Sequence, residues 1–537
     1  MKIKGIMSNK MYYAIVLISV VLASCPAWAG TVIYVDDDAP FGGDGSSWDT
    51  AYRFLQDGLS SAVTGAGNLE IRVAQGGYKP DEGANKTPGD RRASFELGSG
   101  LVLNGGYAGL GMPNPNTRDI TLYETILSGD LMGDDADVND PCDLENDLSR
   151  AENSYHVVHI EDGDITTLLE GVTVTGGYAW TIGGPGRGAS WKKYSGGGLL
   201  CLSSEDPIIA KCTFLVNFAE RGGGMYNSSN AKIIECTFTM NAASVVGGEG
   251  GGMFSGGKPV IEKCRFIRNR ASGGGGISDH HAESTLNNCS FVENSASAGG
   301  GILVMGGKAV FSGCIFKRNL AQGGGGMRIS VDEDSLLINC LFEANLAQDK
   351  GGAIENHVSR DLLIKNCTFV QNSALRGSAF FHDERSRNTC LDSCILWDQD
   401  RVIWMADRSS ITVAYSNVQG GWVGIGNIDK DPIFADPNNG DYHLKSQGGR
   451  WDPNYETWIA DEVTSPCINA GDPNSPIMYE PFPTGGVINM GAYGGTVKAS
   501  KSYFGEPVCE TIVAGDINGD GKVDFEDLAI LMSHWTE

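Results

Sequence analysis

An all-β solenoid built of parallel coils is the fold class this sequence predicts, on three observations. Cys-x-Phe-x-x-Asn is written seven times, starting at Cys212, Cys236, Cys264, Cys289, Cys314, Cys340 and Cys367. The steps between copies are 24, 28, 25, 25, 26 and 27 residues, the spacing of a repeat architecture. Glycine runs, such as Gly222 to Gly224, Gly250 to Gly252, Gly273 to Gly276 and Gly323 to Gly326, precede most copies.

A coil of about 25 residues is too short for strand, crossover helix and strand, which take roughly 30 or more. It suits three short strands joined by turns. The Cys and Phe of each copy are two apart, so both side chains fall on one face of a strand, and that face is the core. Stacked in parallel at ~4.8 Å, Asn217, Asn241, Asn269, Asn294, Asn319, Asn345 and Asn372 form a ladder at a turn, where their amides satisfy neighbouring backbone. The glycines supply positive φ and close approach at another corner. An eighth copy, Cys394-Ile395-Leu396 ending in Gln399, has lost the Phe and the Asn, as terminal repeats do.

From the N-terminus, Lys2, Lys4 and Lys10 flank an apolar stretch from about Met11 to Ala23, and Ala27-Trp28-Ala29 is a small-x-small cleavage site. Residues 1–29 read as a secretory signal, so the expected location is secreted or at the cell surface. Leu22-Ala23-Ser24-Cys25 resembles a bacterial lipobox, which gives the alternative of a lipoprotein lipidated at Cys25. No other segment has the ~18 uninterrupted apolar residues of a spanning helix. Residues 30–70 form a cap: Phe54, Leu55, Leu59, Ala62 and Val63 share a helical face over residues 52–63, after an Asp49-Thr50 start signal. That helix protects the strand edges of the first coil. The solenoid proper spans 71–425 and is clearest over 196–399, with an acidic, strandless insertion at 130–150. Asp-Pro turns then mark turn-rich terminal coils or a cap over 426–497, a linker over 498–510 and a last module over 511–537.

That module carries metal-ligand spacing. Asp516, Asn518, Asp520, Asp524 and Asp527 stand at loop positions 1, 3, 5, 9 and 12, with Gly521 at position 6 and the Lys522 carbonyl at 7. Hard oxygens in this order suit Ca²⁺. Leu528, Ala529, Leu531, Met532 and Trp535 follow as an amphipathic helix.

The chain holds 75 glycines, and its formal charge of −26 excludes nucleic-acid binding by phosphate neutralisation. Fourteen cysteines in an exported chain raise the question of disulfides. The ladder cysteines, in register and pointing alike, read as small buried core residues. Pairing is left open for Cys142, Cys201, Cys390, Cys394, Cys467 and Cys509.

Residues that break the repeat are the candidates for chemistry. Alignment on the glycine corners puts Ser278, Leu303, Arg328, Glu355 and Phe381 in one column, Asp279, Val304, Ile329, Asn356 and His382 in the next, and His280, Met305, Ser330, His357 and Asp383 in a third. Glu355, His357, Asp383 and Arg328 are the candidate catalytic set, and Asp279, His280, His382 and Arg385 the candidate substrate-binding set. A polysaccharide lyase needs a base for the C5 proton and a cation for the uronate; a hydrolase needs two carboxylates. Trp180, Trp191, Tyr194, Trp404 and Trp422 are candidate sugar-stacking platforms.

Gly351-Gly352-Ala353-Ile354, the Gly-Gly-Gly-Met and Gly-Gly-Gly-Ile variants and the Phe-x-x-Asn halves resemble the repeat of chlamydial polymorphic outer-membrane proteins. More broadly, they resemble the right-handed parallel β-helix of the pectin-lyase superfamily, over roughly residues 165 to 420. The resemblance implies that fold, with polysaccharide as a possible partner; neither Arg-x-Pro-x-x-Arg of pectate lyases nor the Asp-Asp and Gly-His-Gly of polygalacturonases is present. Residues 511–537 are similar to one half of a type I dockerin, implying Ca²⁺ as cofactor and a cohesin-like or cell-envelope anchoring partner. A non-catalytic, adhesin-like surface protein is the alternative reading.

Overall fold

A computed structural model describes residues 31–505 apart from 64–68, 182–190, 282, 332–333, 399–400 and 407–408. The signal with Cys25 and the calcium loop with Asp516, Asn518, Asp520, Lys522, Asp524 and Asp527 lie outside the described residues.

The coils stack as three long parallel sheets. Sheet A has 13 strands, from Thr31–Val35 to Ile411–Ala414; sheet B has 12, from Gly76–Tyr78 to Asn417–Val418; sheet C has 11, from Phe95–Glu96 to Ile403–Met405. One coil runs Met225–Asn227 in sheet C, Lys232–Ile234 in sheet A, Thr237–Thr239 in sheet B and Ala242–Ala243 in a short fourth strip, then returns to sheet C at Met253–Ser255.

Each repeated residue has a place in that circuit. Each Phe from Phe214 to Phe342 pairs with the Phe of the next coil, so the seven rings stack nearly parallel, at 4.6–5.0 Å between centroids and 3–8° between planes. The strand spacing imposes this geometry, and full burial stabilises it by roughly 1.5–3 kcal/mol per ring. The cysteines stand at the corner between sheets A and B, buried, with thiols aimed at backbone carbonyls, such as Cys264 Sγ to Glu262 O at 3.3 Å. All described cysteines are free thiols.

The residue before each Cys and the residue before each Asn turn the chain with positive φ, as at Glu235 (54°) and Met240 (56°). All but Gly313 are non-glycine residues, and each of those costs of order 1 kcal/mol. The asparagines hold the second corner. Asn294 Oδ1 accepts from the backbone N–H and the side-chain amide of Asn269, both at 3.0 Å, while its own amide donates to the Phe266 carbonyl at 2.9 Å and to Asn319 Oδ1 at 3.0 Å. The last rung is Asp398, not Gln399: its carboxylate takes the Asn372 backbone N–H at 2.7 Å. At the glycine corner, Gly250 has φ +69°, and a Cβ on Gly251 would lie 2.3 Å from the Arg270 carbonyl oxygen.

Helix α1 (Leu55–Val63) packs against Thr31–Val35, Leu69–Ala74 and Phe95–Glu96 and buries Leu55 and Leu59 in the core at the solenoid's start. It begins later than the start signal suggests, because Asp49 and Thr50 belong to a separate 3₁₀ turn capped by Ser47.

Residues 431–505 do not add coils. They form two antiparallel pairs, Phe434–Asp436 with Asp441–Leu444 and Arg450–Asp452 with Thr457–Ile459, and dock on the flank of sheet B. Asn339 Nδ2 donates to the Ala492 and Gly494 carbonyls, Asn366 Nδ2 to Asn489 O, and Leu341 and Val370 pack on Tyr442 and Ala492. No helix among the described residues is long and apolar enough to cross a membrane.

Candidate functional site

Sheet C carries the predicted columns, and their register is direct: Ser278, Leu303, Arg328, Glu355, Phe381 and Trp404 are successive partners. This column faces outward. The neighbouring column faces the core, since successive strand residues point to opposite sides. Asp279 is therefore 1% exposed and His382 0%, which removes both from the expected substrate-binding face. His382 accepts from Asn356 Nδ2 at Nδ1 (3.1 Å) and donates from Nε2 to Ser410 O (3.1 Å); burial lowers its pKa. It is a satisfied core histidine.

Asp279 is a carboxyl in the core. Ser284 Oγ donates to its Oδ1 at 3.1 Å, and burial pushes its pKa up to about 7. The folded chain keeps this proton between about pH 4 and 7, where the unfolded chain has released it. Stability from this group therefore falls as pH rises through that window and is flat above it. Asp279→Asn is expected to flatten the slope and to stabilise the protein at pH 8 by up to a few kcal/mol, read by urea unfolding at pH 5 and pH 8. An unchanged slope would count against a buried, protonated Asp279.

Apart from His280, the remaining candidates gather on the outer side of three consecutive rungs, ~4.8 Å apart. Arg328 Nε lies 3.6 Å from Glu355 Oε2, and His357 Nδ1 lies 3.3 Å from Asp383 Oδ2. Both are ion-pair distances without hydrogen-bond geometry: Glu355 Oε2 and His357 Nδ1 are buried atoms with no hydrogen-bond partner. Arg385 donates its backbone N–H to Asp383 Oδ1 at 3.1 Å and holds its guanidinium 3.8 Å away.

Their pKa values are pushed apart. Burial, opposed by Arg328 and Lys350, raises that of Glu355. Burial and the charge of Arg328 lower that of His357. Burial works against ionisation of Asp383, but the Arg385 N–H, His357 and the Arg385 charge outweigh it and bring its pKa down. A carboxyl whose pKa is raised, an imidazole whose pKa is lowered and a carboxylate whose pKa is lowered thus share one patch, the pattern of acid and base groups with separate tasks.

Sequence reasoning missed two cations beside this set. Lys350 Nζ sits 5.0 Å over the Phe381 ring and Arg376 5.6 Å from it, with Arg376 also paired to Asp349. The signal was the Phe381 position in the column, a buried ring facing outward that needs a cover. His280 lies two rungs earlier. Its Nε2 is 3.1 Å from Glu249 Oε1, and its ring is 5.0 Å from Phe254, which stacks on Tyr226 at 4.9 Å. Of the candidate platforms, Trp191 is half exposed and lies 5.4 Å from Tyr226, and Trp404 lies under Arg401. Trp180 and Tyr194 are buried, and Trp422 packs on the core.

Two acidic groups, Asp36 with Asp37 and Asp38, and Asp130 with Asp134 and Glu152, bring carboxylate oxygens within 4.8 Å of one another. Backbone N–H groups already bind four of these six carboxylates: those of Asp38 and Leu110 reach Asp36, that of Gly77 reaches Asp37, that of Gly133 reaches Asp130 and that of Met132 reaches Glu152.

Among curated proteins no match is found. Among solved structures, a pectate lyase, Pel9A, aligns at 13% identity with a TM-score of 0.41, covering 86% of this chain and 95% of its own. A rhamnogalacturonan lyase aligns at 10% identity and 0.34, covering 81% and 96%, and a complex of XylC with xylose at 8% and 0.35, covering 75% and 87%. At these scores and identities the likenesses carry no argument about chemistry. Residues 408–471 match the family described as disaggregatase related. Residues 142–319 and 270–432, together more than half of the chain, match the family described as the right handed beta helix region. With its three parallel sheets and asparagine ladder, the chain belongs to the right-handed β-helix family.

Proposed function

We propose that the outer face of sheet C around Arg328, Glu355, His357 and Asp383 binds an acidic polysaccharide and cleaves it by β-elimination. The observation that carries this reading is unmet hydrogen-bond capacity on Glu355 and His357 beside four cations, Arg328, Lys350, Arg376 and Arg385, in a chain of net charge −26. A uronate carboxylate satisfies the cations. Neutral His357 takes the C5 proton, with Asp383 stabilising the imidazolium, and Arg328 balances the charge on the enolate. The C4–O bond then breaks, and the leaving oxygen takes the proton of Glu355. The products are an unsaturated uronate and a new reducing end.

The test is a panel of acidic and neutral polysaccharides with the purified chain from residue 30 onward, read by ultraviolet absorbance of unsaturated uronates and by reducing ends. Reducing ends without unsaturation would instead assign hydrolysis to Glu355 and Asp383. One observation favours a non-catalytic, surface-presenting role: each of the four residues already stands at ion-pair distance from another. Retention on acidic polymers without any product would support that role, and no retention at all would overturn both readings.

Export and tethering belong to the same proposal. The N-terminal segment directs the chain out of the cell, and residues 511–537 bind Ca²⁺ and dock to a cohesin-like or cell-envelope partner. Asp516→Ala combined with Asp520→Ala is expected to remove one calcium equivalent from a calorimetric titration of the full chain. An unaltered titration would refute the loop.

A further inference from the structure

We propose that the N-terminal cap holds a second, separate glycan site, a cleft beside helix α1 that takes a neutral sugar residue at a chain end. The cleft has a volume of about 340 Å³ and is lined by Phe41, Tyr52, Arg53, Phe54, Asp57 and Ser60 among others. That lies at the low end of the roughly 300–1,000 Å³ range of small-molecule sites, so it admits a terminus rather than an extended polymer.

Its walls are aromatic. Phe41 is 76% exposed, and its ring lies 6.0 Å from that of Phe54. A large, exposed aromatic ring is costly to display in water and offers a stacking face to the C–H side of a pyranose. Arg53 is held in place by stacking on Phe41 at 4.8 Å and by donating Nη1 to the Ala39 carbonyl at 3.2 Å.

The polar groups decide the ligand class. Among the described residues Arg53 has no carboxylate within ion-pair distance, and its Nε and Nη2 groups make no hydrogen bond. Asp57 accepts from the Ala84 N–H through Oδ1 only. A cation and a carboxylate thus line one cleft without neutralising each other, which leaves donors and an acceptor for a ligand that carries both kinds of group. Hydroxyls do. An anionic ligand fits poorly, because Glu82 and Asp37 also lie within electrostatic reach of Arg53. The cleft therefore differs in chemistry from the cationic face of sheet C, and does not rest on it.

The test is affinity electrophoresis of the full chain through gels containing barley β-glucan, xylan, galactomannan or polygalacturonate, followed by calorimetry with hexasaccharides of any retarding neutral polymer. At least one neutral polymer is expected to retard the wild type. Phe41→Ala and Arg53→Ala should each weaken that binding tenfold or more while leaving polygalacturonate retardation unchanged. Arg328→Ala should do the opposite. Because Phe41 is exposed, its removal leaves the fold intact, as an unchanged melting temperature will verify. The proposal is overturned if no neutral polymer retards the wild type, or if retardation survives both cap variants.

Discussion

Asn294→Ala is expected to destabilise the solenoid by about 3–5 kcal/mol, more than its small loss of apolar surface would suggest. The alanine removes the Oδ1 that accepts from the Asn269 backbone N–H, a buried group, and leaving such a donor unpaired costs about 1–3 kcal/mol. Three further side-chain bonds disappear with it: those from the Asn269 amide, to the Phe266 carbonyl and to Asn319 Oδ1, each worth roughly 0.5–1.5 kcal/mol. The Glu293 turn loses its support as well, since φ of +56° at that residue is held against its own preference by the bonds of the next residue. Because each coil touches only its neighbours, the damage should appear as an early, separate transition in urea, with protection from hydrogen exchange lost first around residues 266–320. Asn294→Asp separates the acceptor role from the rest. It keeps the oxygen but must bury a carboxyl, so it should be tolerated at pH 5 and fail at pH 8. Asp398, whose burial pushes its pKa up to about 7, already makes that compromise at the ladder's end. Equal stability of Asn294→Ala and wild type would mean that the ladder is incidental to the fold.

The repeat made the circuit of the coils legible because every rung repeats the same local problem: two left-handed corners, one buried ring and one amide to satisfy the turn. Register followed from period alone, and Arg328, Glu355 and Phe381 fall in line as their spacing implies. Facing was not legible at Asp279 and His382, because a polar side chain by itself suggests the surface. Alternation along the strand places both in the core, where Ser284, Asn356 and Ser410 pair with them. The turns of 426–497 are legible as a terminal region, but its docking on sheet B is not. It depends on single contacts between residues more than 100 apart, such as Asn339 with Ala492, and no periodicity encodes such a contact. The cap cleft escaped for a related reason: Phe54 reads as part of the helical face but stands just before the helix, and Phe41 is a turn residue that carries no signal until the chain folds one over the other.

His357→Ala should lower the turnover of acidic polysaccharide by about 10²–10⁴-fold, the usual worth of a positioned general base. The direction of the pH dependence follows from the neighbours. Burial and Arg328 hold the imidazole pKa below its ordinary value, so His357 gives up its proton at lower pH than a free imidazole does, and the rate should rise through that lowered pKa to a plateau. Glu355, raised by burial, must keep its proton to supply the leaving oxygen, so the same profile should fall again as pH passes through its elevated value. Glu355→Gln should abolish this upper limb and slow leaving-group departure, most for the poorest leaving groups. Arg328→Lys should raise KM and lower kcat together, because a point charge replaces a planar donor pair facing the uronate. Arg328→Ala should also raise the pKa of His357, moving the lower limb to higher pH, a shift that a merely structural role for Arg328 would not produce. A profile that stays put in Arg328→Ala, or a His357→Ala enzyme as fast as wild type, would move the chemistry to another face of the solenoid.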